Sequence, residues 1–430
     1  MNKIYVIVLT STLILSGCSN KEKPNEETID DVAVEYVKLC LEIGTYDGDF
    51  VDAYYGPKSW KSSEDANEIF PYQELKWKAN ALVHRMESID PKTCNNKLKL
   101  RRNFLLKQLN ASSTRLDILS GKQLPFNYEA KNIYDIVPPQ TSFTHFDKLL
   151  QSLDSIVPGE GNLAERYITY SEQFIIPENK LNEVFTTAIS EAKNRVSKKI
   201  ALPATEKFEL SYVTNKPWSG YNWYQGEYYS LIQINTDLPI YIERAIDLAC
   251  HEGYPGHHVF NVMLEKELVN NKGWQEMTIY PLFSPQSFIA EGSANFGIEM
   301  AFPGTERIEY EKSTLFPIAG IDPDLAENYY QIQGLRKELN FAEINIARKY
   351  LDRNITTEEA KLLIHKYLLF SLDRAEQRLS FYNTYRSYVI NYSLGEKMIR
   401  EFVEEFGDTP DKKWEAFNQL LSSPRTASVL

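Results

Sequence analysis

The chain has 430 residues and a formal net charge of −12, a balance that argues against nucleic acid and anionic lipid as partners. Four cysteines in so long a chain cannot make a disulfide framework, so an apolar core has to hold the fold. The length allows two domains or one large enzyme domain.

The first element in chain order is a processing signal. MNKIYVIVLTSTLILSGCSN has one early lysine and an apolar run from Ile4 to Leu15, the size of a signal-peptide core and too short for a membrane span. Ser16 and Gly17 ahead of Cys18 resemble a bacterial lipoprotein processing site, so residues 1–17 are expected to be removed and Cys18 to carry lipid. Ser19 lacks the aspartate associated with inner-membrane retention, which points to the outer membrane or cell surface. The lipid anchor is then the only contact with membrane. Cleavage removes only Lys3 among charged groups, leaving 46 basic against 59 acidic side chains. Residues 18–30 are polar and charged and read as a flexible tether.

Residues 31–204 read as a helical N-terminal lobe. Val32, Tyr36, Val37, Leu39, Cys40 and Ile43 supply an apolar face, and helical spacing recurs near 73–90, 97–120, 143–155, 161–175 and 180–198. Of the three cysteines left after cleavage, Cys40 and Cys94 are the one pair worth testing as a disulfide, and Cys250 reads as a small apolar residue. Residues 205–430 read as a second lobe of the same domain. It opens with two strand-like runs, KFELSYVT and EYYSLIQINT, expected to form a short antiparallel pair. Asp237 is placed to cap a helix with Pro239 in its first turn. Helical periodicity then runs to about 425, broken at FPGTER, GIDPD and DRNITTEE. The expected fold is mainly helical, with a small antiparallel sheet beside the histidine motif.

That motif is HEGYPGHH, residues 251–258, holding three of the six histidines. A zinc-peptidase helix places histidines at i and i+4 with a glutamate between as general base. Here i+4 from His251 is Pro255, which lacks an amide hydrogen and would clash with the carbonyl of residue 251. A regular helix cannot pass through undisturbed. A bulge at Tyr254-Pro255-Gly256 would bring a later histidine back, and His257 is the favoured second ligand. His258 is the alternative ligand, or else a group supporting the ligands or facing substrate. Forty residues on, SFIAEGSANFGIEM offers Glu291 as a third ligand, with Gly292 allowing close approach to the motif helix. Glu252 is placed to take a proton from metal-bound water.

HEGYPGHH followed by AEGSANF is similar to the HExxPGHH and EGWAxY pair of the bacterial domain of unknown function 885 family. GTYDGDFVDAYYGP, YNWYQGEYYSLIQINT and RSYVINYSLGEKMI extend the likeness over nearly all of the mature chain. The resemblance implies a large helical zincin-like (gluzincin) fold, a Zn2+ cofactor, and a zinc-dependent hydrolase, most plausibly a metallopeptidase acting on a peptide substrate. By position it makes His251, His257 and Glu291 the metal ligands and Glu252 the base. It singles out Tyr392 as a donor to a developing oxyanion and Arg386 as a holder of a substrate carboxylate. It also implies that LIQINT borders the cleft with an edge open to an extended peptide, with Asn235 as a substrate contact and Tyr221, Trp223 and Tyr224 at the mouth. Ser293 and Phe296 depart from the pattern, standing where the family has Trp and Tyr. An inactive surface lipoprotein that binds peptide or glycan is the alternative that this departure raises.

Overall fold

The protein is described here as a computed structural model covering residues 28–61, 69–216 and 218–430. The expected signal peptide and Cys18 lie outside these residues, as does all of the tether before Thr28. Helix Ile29–Gly44 starts at a capping box: Thr28 Oγ1 accepts from Asp31 N (3.3 Å), and the Asp31 carboxylate accepts from Thr28 N (2.9 Å). Its stripe of Val32, Ala33, Tyr36, Val37, Cys40 and Ile43 is buried, as the 3.6-residue spacing predicts. Strand β1 (Val51–Tyr54) follows. The long helices Tyr72–Ser88, Asn96–Leu119, Phe143–Ile156, Leu163–Ser171 and Leu181–Ser197 fall where the periodicity puts them. Arg101 forks onto Glu276 (2.6 and 2.8 Å) and reaches Asp30 (2.6 Å), tying helix Asn96–Leu119 to the far half of the chain. Cys40, Cys94 and Cys250 are buried free thiols, with no disulfide between the first two.

Strands β2 (Lys207–Val213), β3 (Gly220–Gly226) and β4 (Tyr229–Asn235) form one sheet in the order β2-β4-β3. Its pairing is mixed. The two runs expected to be an antiparallel pair lie parallel, Lys207 opposite Tyr229 and Val213 opposite Asn235. The antiparallel partner of β4 is β3, built from the aromatic stretch GYNWYQG. A tight β3–β4 turn at Glu227 and Tyr228, both at positive φ, makes that hairpin and leaves the other side of β4 for β2. Strand β5 (Ile279–Pro281) pairs antiparallel with β1, bringing an N-terminal segment beside the second half of the chain.

The helix leading into the histidine motif starts at Glu243, later than Asp237 and Pro239 suggest. Residues 240–242 bond to 174–176 around a Tyr241–Ile175 bridge, with Ile176 N donating to Ile240 O and Ile242 N to Phe174 O. Asp237 instead accepts from Lys216 N. Tertiary pairing overrides the local cap signal here. Downstream, the helices break at 302–305, 320–325 and 352–356, at the three stretches named from sequence.

Helices Pro285–Ala301 and Ile390–Phe406 cross at a glycine pair. A Cβ on Gly292 would lie 2.5 Å from the carbonyl carbon of Gly395 and 2.7 Å from its oxygen. Gly292 thus permits close approach to helix Ile390–Phe406, and not to the motif helix as the sequence suggests. The glycine that meets the motif is Gly297, one to two turns later, whose Cβ would stand 2.8 Å from the Pro255 ring.

Candidate metal centre

The motif adopts the disturbed geometry that proline forces. Helix Glu243–Leu248 widens into a π-turn over Ala249–Gly253, where Tyr254 N donates to Ala249 O (2.9 Å). The Tyr254–Pro255 peptide is cis. Gly256 N then donates to Cys250 O (2.8 Å), and helix His257–Leu264 begins at once. Only glycine fits this re-entry: a Cβ on Gly256 would lie 1.9 Å from His251 O and 2.4 Å from Cys250 O. The π-turn and the break swing His257 back over His251.

The two imidazoles meet edge to face, with Nε2 atoms 3.2 Å apart. Glu291 closes the triangle, Oε2 lying 3.3 Å from His251 Nε2 and Oε1 3.5 Å from His257 Nε2. Ligands at 2.0–2.1 Å around a tetrahedral ion stand ~3.4 Å from one another. The three donor separations therefore match that geometry, and the group could hold a metal ion. Two further features fit a cation. Glu291 Oε2 is buried without a hydrogen-bond partner among the described residues. Asn295 Nδ2 donates to Tyr392 O (3.3 Å), which turns its Oδ1 toward His251 Nδ1 (2.9 Å). His251 must then carry its proton on Nδ1 and present a bare lone pair from Nε2.

Electrostatics concentrate at the same place. Burial alone would depress the His257 imidazole, but Glu291, Glu252 and Asp52 outweigh it and raise it to about 9. Burial would raise Glu291, yet the two histidines hold it well below the usual carboxylate range. Tyr388 donates to Glu291 Oε1 (2.7 Å) and fixes the carboxylate from behind. Glu252 is buried, its carboxylate near Gly220 of β3, where an added Cβ would lie 3.1 Å from Oε1. Asn222 of β3 anchors the Glu252 carbonyl (2.7 Å). The sheet thus lies directly beside the motif.

The other residues singled out from sequence have different fates. Tyr392 is half-buried, its hydroxyl makes no hydrogen bond among the described residues, and the charges of Glu291 and Glu252 both act on it. His258 lies away from the donor group. It is fully buried, with Nδ1 on Ser230 Oγ (2.9 Å) and Nε2 on Glu206 Oε2 (2.8 Å), so neither nitrogen is left for a metal. Glu206 also takes Tyr254 and Lys193; burial would raise it, but these partners and His258 pull it down to about 2. Arg386 is committed away from a substrate carboxylate, because it forms a part-buried pair with Glu129 (2.6 Å) that also gathers Ser387. Asn235 is not a cleft residue either: its amide bonds to the carbonyls of Lys216 and Trp218 (2.9 Å each), bracing a turn. Strand β4 has no open edge, since β2 and β3 occupy both sides. Tyr224 is buried on Glu265, whereas Tyr221 and the half-exposed Trp223 stack at 4.5 Å. Ser293 and Phe296 are buried packing residues, Phe296 against Phe417.

Three residues of the site escaped the sequence reading. Asn295 sits one turn after Glu291, a spacing that could have signalled a shared face. Tyr388 sits one turn before Tyr392 with the same logic. Asp52 of β1 has no local signal. It receives the Tyr221 hydroxyl, and burial with the charges of Glu291 and Glu252, opposed by His257, pushes it up to about 7.

A mainly helical fold with a paired-histidine and carboxylate group beside a small sheet defines the class to which this chain is comparable. No family model matches the chain, and no curated protein matches it. Among solved structures it is similar to a candidate lipoprotein from Colwellia psychrerythraea, at 13% identity and a TM-score of 0.50, over 80% of this chain and 66% of that one. The chain spans just under two thirds of that structure's length. A candidate lipoprotein of unknown function from Shewanella oneidensis aligns at 14% identity and TM-score 0.46, over 81% and 72% of the two chains. Metallocarboxypeptidase 1 of Trypanosoma cruzi aligns at 14% and 0.43, over 93% and 92%. At these identities the first likeness is one of fold alone. No helix among the described residues is long and apolar enough to cross a membrane.

Proposed function

We propose that this chain is an exported, lipid-anchored zinc-dependent hydrolase of zincin-like fold, and that it cleaves peptide bonds. The observation that carries the reading is the triangle of His251, His257 and Glu291 donor atoms, separated by 3.2–3.5 Å, with Glu252 next in sequence to the first ligand. Zinc held there would supply an acidified water and polarise a substrate carbonyl. The chain's own residues do the rest. Glu252, wedged against Gly220, accepts a proton from the attacking water and returns it to the leaving amine. Tyr392 offers its unengaged hydroxyl to the developing oxyanion. Asn295 and Tyr388 hold His251 and Glu291 in the protonation state and orientation that a ligand needs. The signal sequence, residues 1–17 ahead of Cys18, supports the lipid anchor and a place in the cell envelope, on the outer membrane or cell surface.

Glu252→Gln is the test. The variant should bind zinc at one per chain, read by elemental analysis, and lose hydrolysis of a mixed peptide library. Wild-type turnover by the variant would refute the mechanism. The inactive binding lipoprotein, prompted by the altered EGSANF segment, predicts zinc at one per chain and no turnover by the unmodified protein.

A further inference from the structure

Asp52 is a carboxylate that the mechanism above does not use. Tyr221 donates to its Oδ1, and Tyr221 is itself packed between Trp218 and Trp223, with ring centroids 5.4 and 4.5 Å away. The aspartate is therefore held in place. Its Oδ2 has no hydrogen-bond partner among the described residues, and the residue is part-buried. The charged groups bearing on Asp52 are His257, Glu291 and Glu252, with no lysine or arginine among them. Cations elsewhere around the site are committed: Arg386 to Glu129, and Arg378, which acts on Tyr392, to Glu343. With a divalent cation bound, Glu291 and Glu252 balance its charge. Of these three carboxylates Asp52 is then the one without a counter-charge, and a substrate cation would supply it. Neither arginine is free to receive a substrate's terminal carboxylate.

We propose that Asp52 anchors the free α-ammonium group of the substrate, so that the site selects short peptides by their N-terminus. This inference rests on the peptidase reading for its reaction, though not for its binding chemistry. Tyr221 is a positioning residue that keeps the Asp52 carboxylate turned to the ammonium. The ammonium forms a charge-assisted hydrogen bond in a partly desolvated cleft, an interaction whose loss corresponds to about ten- to a hundredfold in affinity. N-acetylation of the substrate deletes the same interaction from the other side.

The zinc-loaded full chain is assayed on a tetrapeptide with a free amine and on its N-acetyl form. The free amine should be preferred at least about tenfold in kcat/KM, chiefly through KM. Asp52→Asn should lower kcat/KM on the free peptide by that factor more than on the acetylated one, erasing the preference, with Asp52→Glu restoring part of it. Equal losses on both peptides, or no preference in the unmodified chain, would overturn the inference while leaving the peptidase reading intact. If neither peptide is cleaved, the peptidase reading fails. Calorimetric titration of the zinc-loaded Glu252→Gln chain with phenylalanyl-alanine amide and its N-acetyl form then decides the ammonium site. Tighter binding of the free amine that Asp52→Asn abolishes supports it, and equal binding rejects it.

Discussion

Gly292 offers the sharpest test of how the fold positions the proposed metal ligands. In Gly292→Ala the new methyl would start 2.5 Å from Gly395 C and 2.7 Å from its O, both backbone atoms that cannot rotate away. Carbon atoms pack at about 3.5–4.0 Å, so the helices Pro285–Ala301 and Ile390–Phe406 must separate by roughly 1 Å. Overpacking of this kind costs about 1–3 kcal/mol. A backbone-on-backbone contact belongs at the upper end. The same displacement pulls Glu291 from Tyr388, because the two sit on either side of this crossing, 2.7 Å apart. Groups that orient a metal ligand are typically worth ~10–100-fold in affinity, so zinc binding should weaken by at least ~10-fold. Gly334→Ala is the control. It lies in the exposed face of helix Ala326–Leu339 with nothing within 4 Å of its added Cβ, and should stabilise by about 0.5–1 kcal/mol. Denaturant unfolding and chelator competition on both variants give the two readouts. A Gly292→Ala protein with the stability and zinc affinity of the unmodified chain would refute the argument.

The remaining predictions concern the site directly. His257→Ala should lose zinc affinity by roughly a hundredfold or more, one ligand's share of a typical zinc-binding free energy, whereas His258→Ala should keep zinc and lose stability, having removed a buried hub between Ser230 and Glu206. Chelator competition and thermal melting separate the two; the reverse pattern would reassign the ligands. Tyr388→Phe deletes only the hydroxyl on Glu291 and should cost about tenfold in zinc affinity with the melting temperature little changed. Glu206 is held down to about 2 against an ordinary 4.5, so its contribution is complete above pH 4.5 and lost as pH falls toward 2. The loss is on the order of 3 kcal/mol, and Glu206→Gln should flatten the stability profile across that window in acid unfolding.

Much of this was legible locally. The long amphipathic helices follow a 3.6-residue stripe that burial reproduces, as in Val32, Tyr36, Val37 and Cys40. Pro255 at the i+4 position excludes an ordinary two-histidine helix, and the π-turn with a break at Gly256 is how the chain accommodates it. The choice between His257 and His258 was open in sequence because adjacent residues project to different sides of a helix. Which side faces Glu291 depends on where the helix restarts. The sheet differs from expectation for a similar reason: β2 and β4 are visible as alternating runs, but β3 lies in the glycine-bearing stretch between them, and pairing order is a long-range decision.

What the sequence by itself determined is chemistry and local form: two histidines and a glutamate as donors, a forced irregularity between the histidines, helical stripes, and a net charge that disfavours polyanions. What only the tertiary structure decided is which polar groups are already spent. Arg386, Asn235 and His258 look functional as isolated residues, yet each is consumed by a distant partner. Asp52 looks ordinary and is left open beside the donors, because β1 is carried there by pairing with β5, more than two hundred residues away. A side chain's type is a local property, but its availability depends on what the fold brings against it, and hydrogen bonds and charges act through space regardless of separation along the chain.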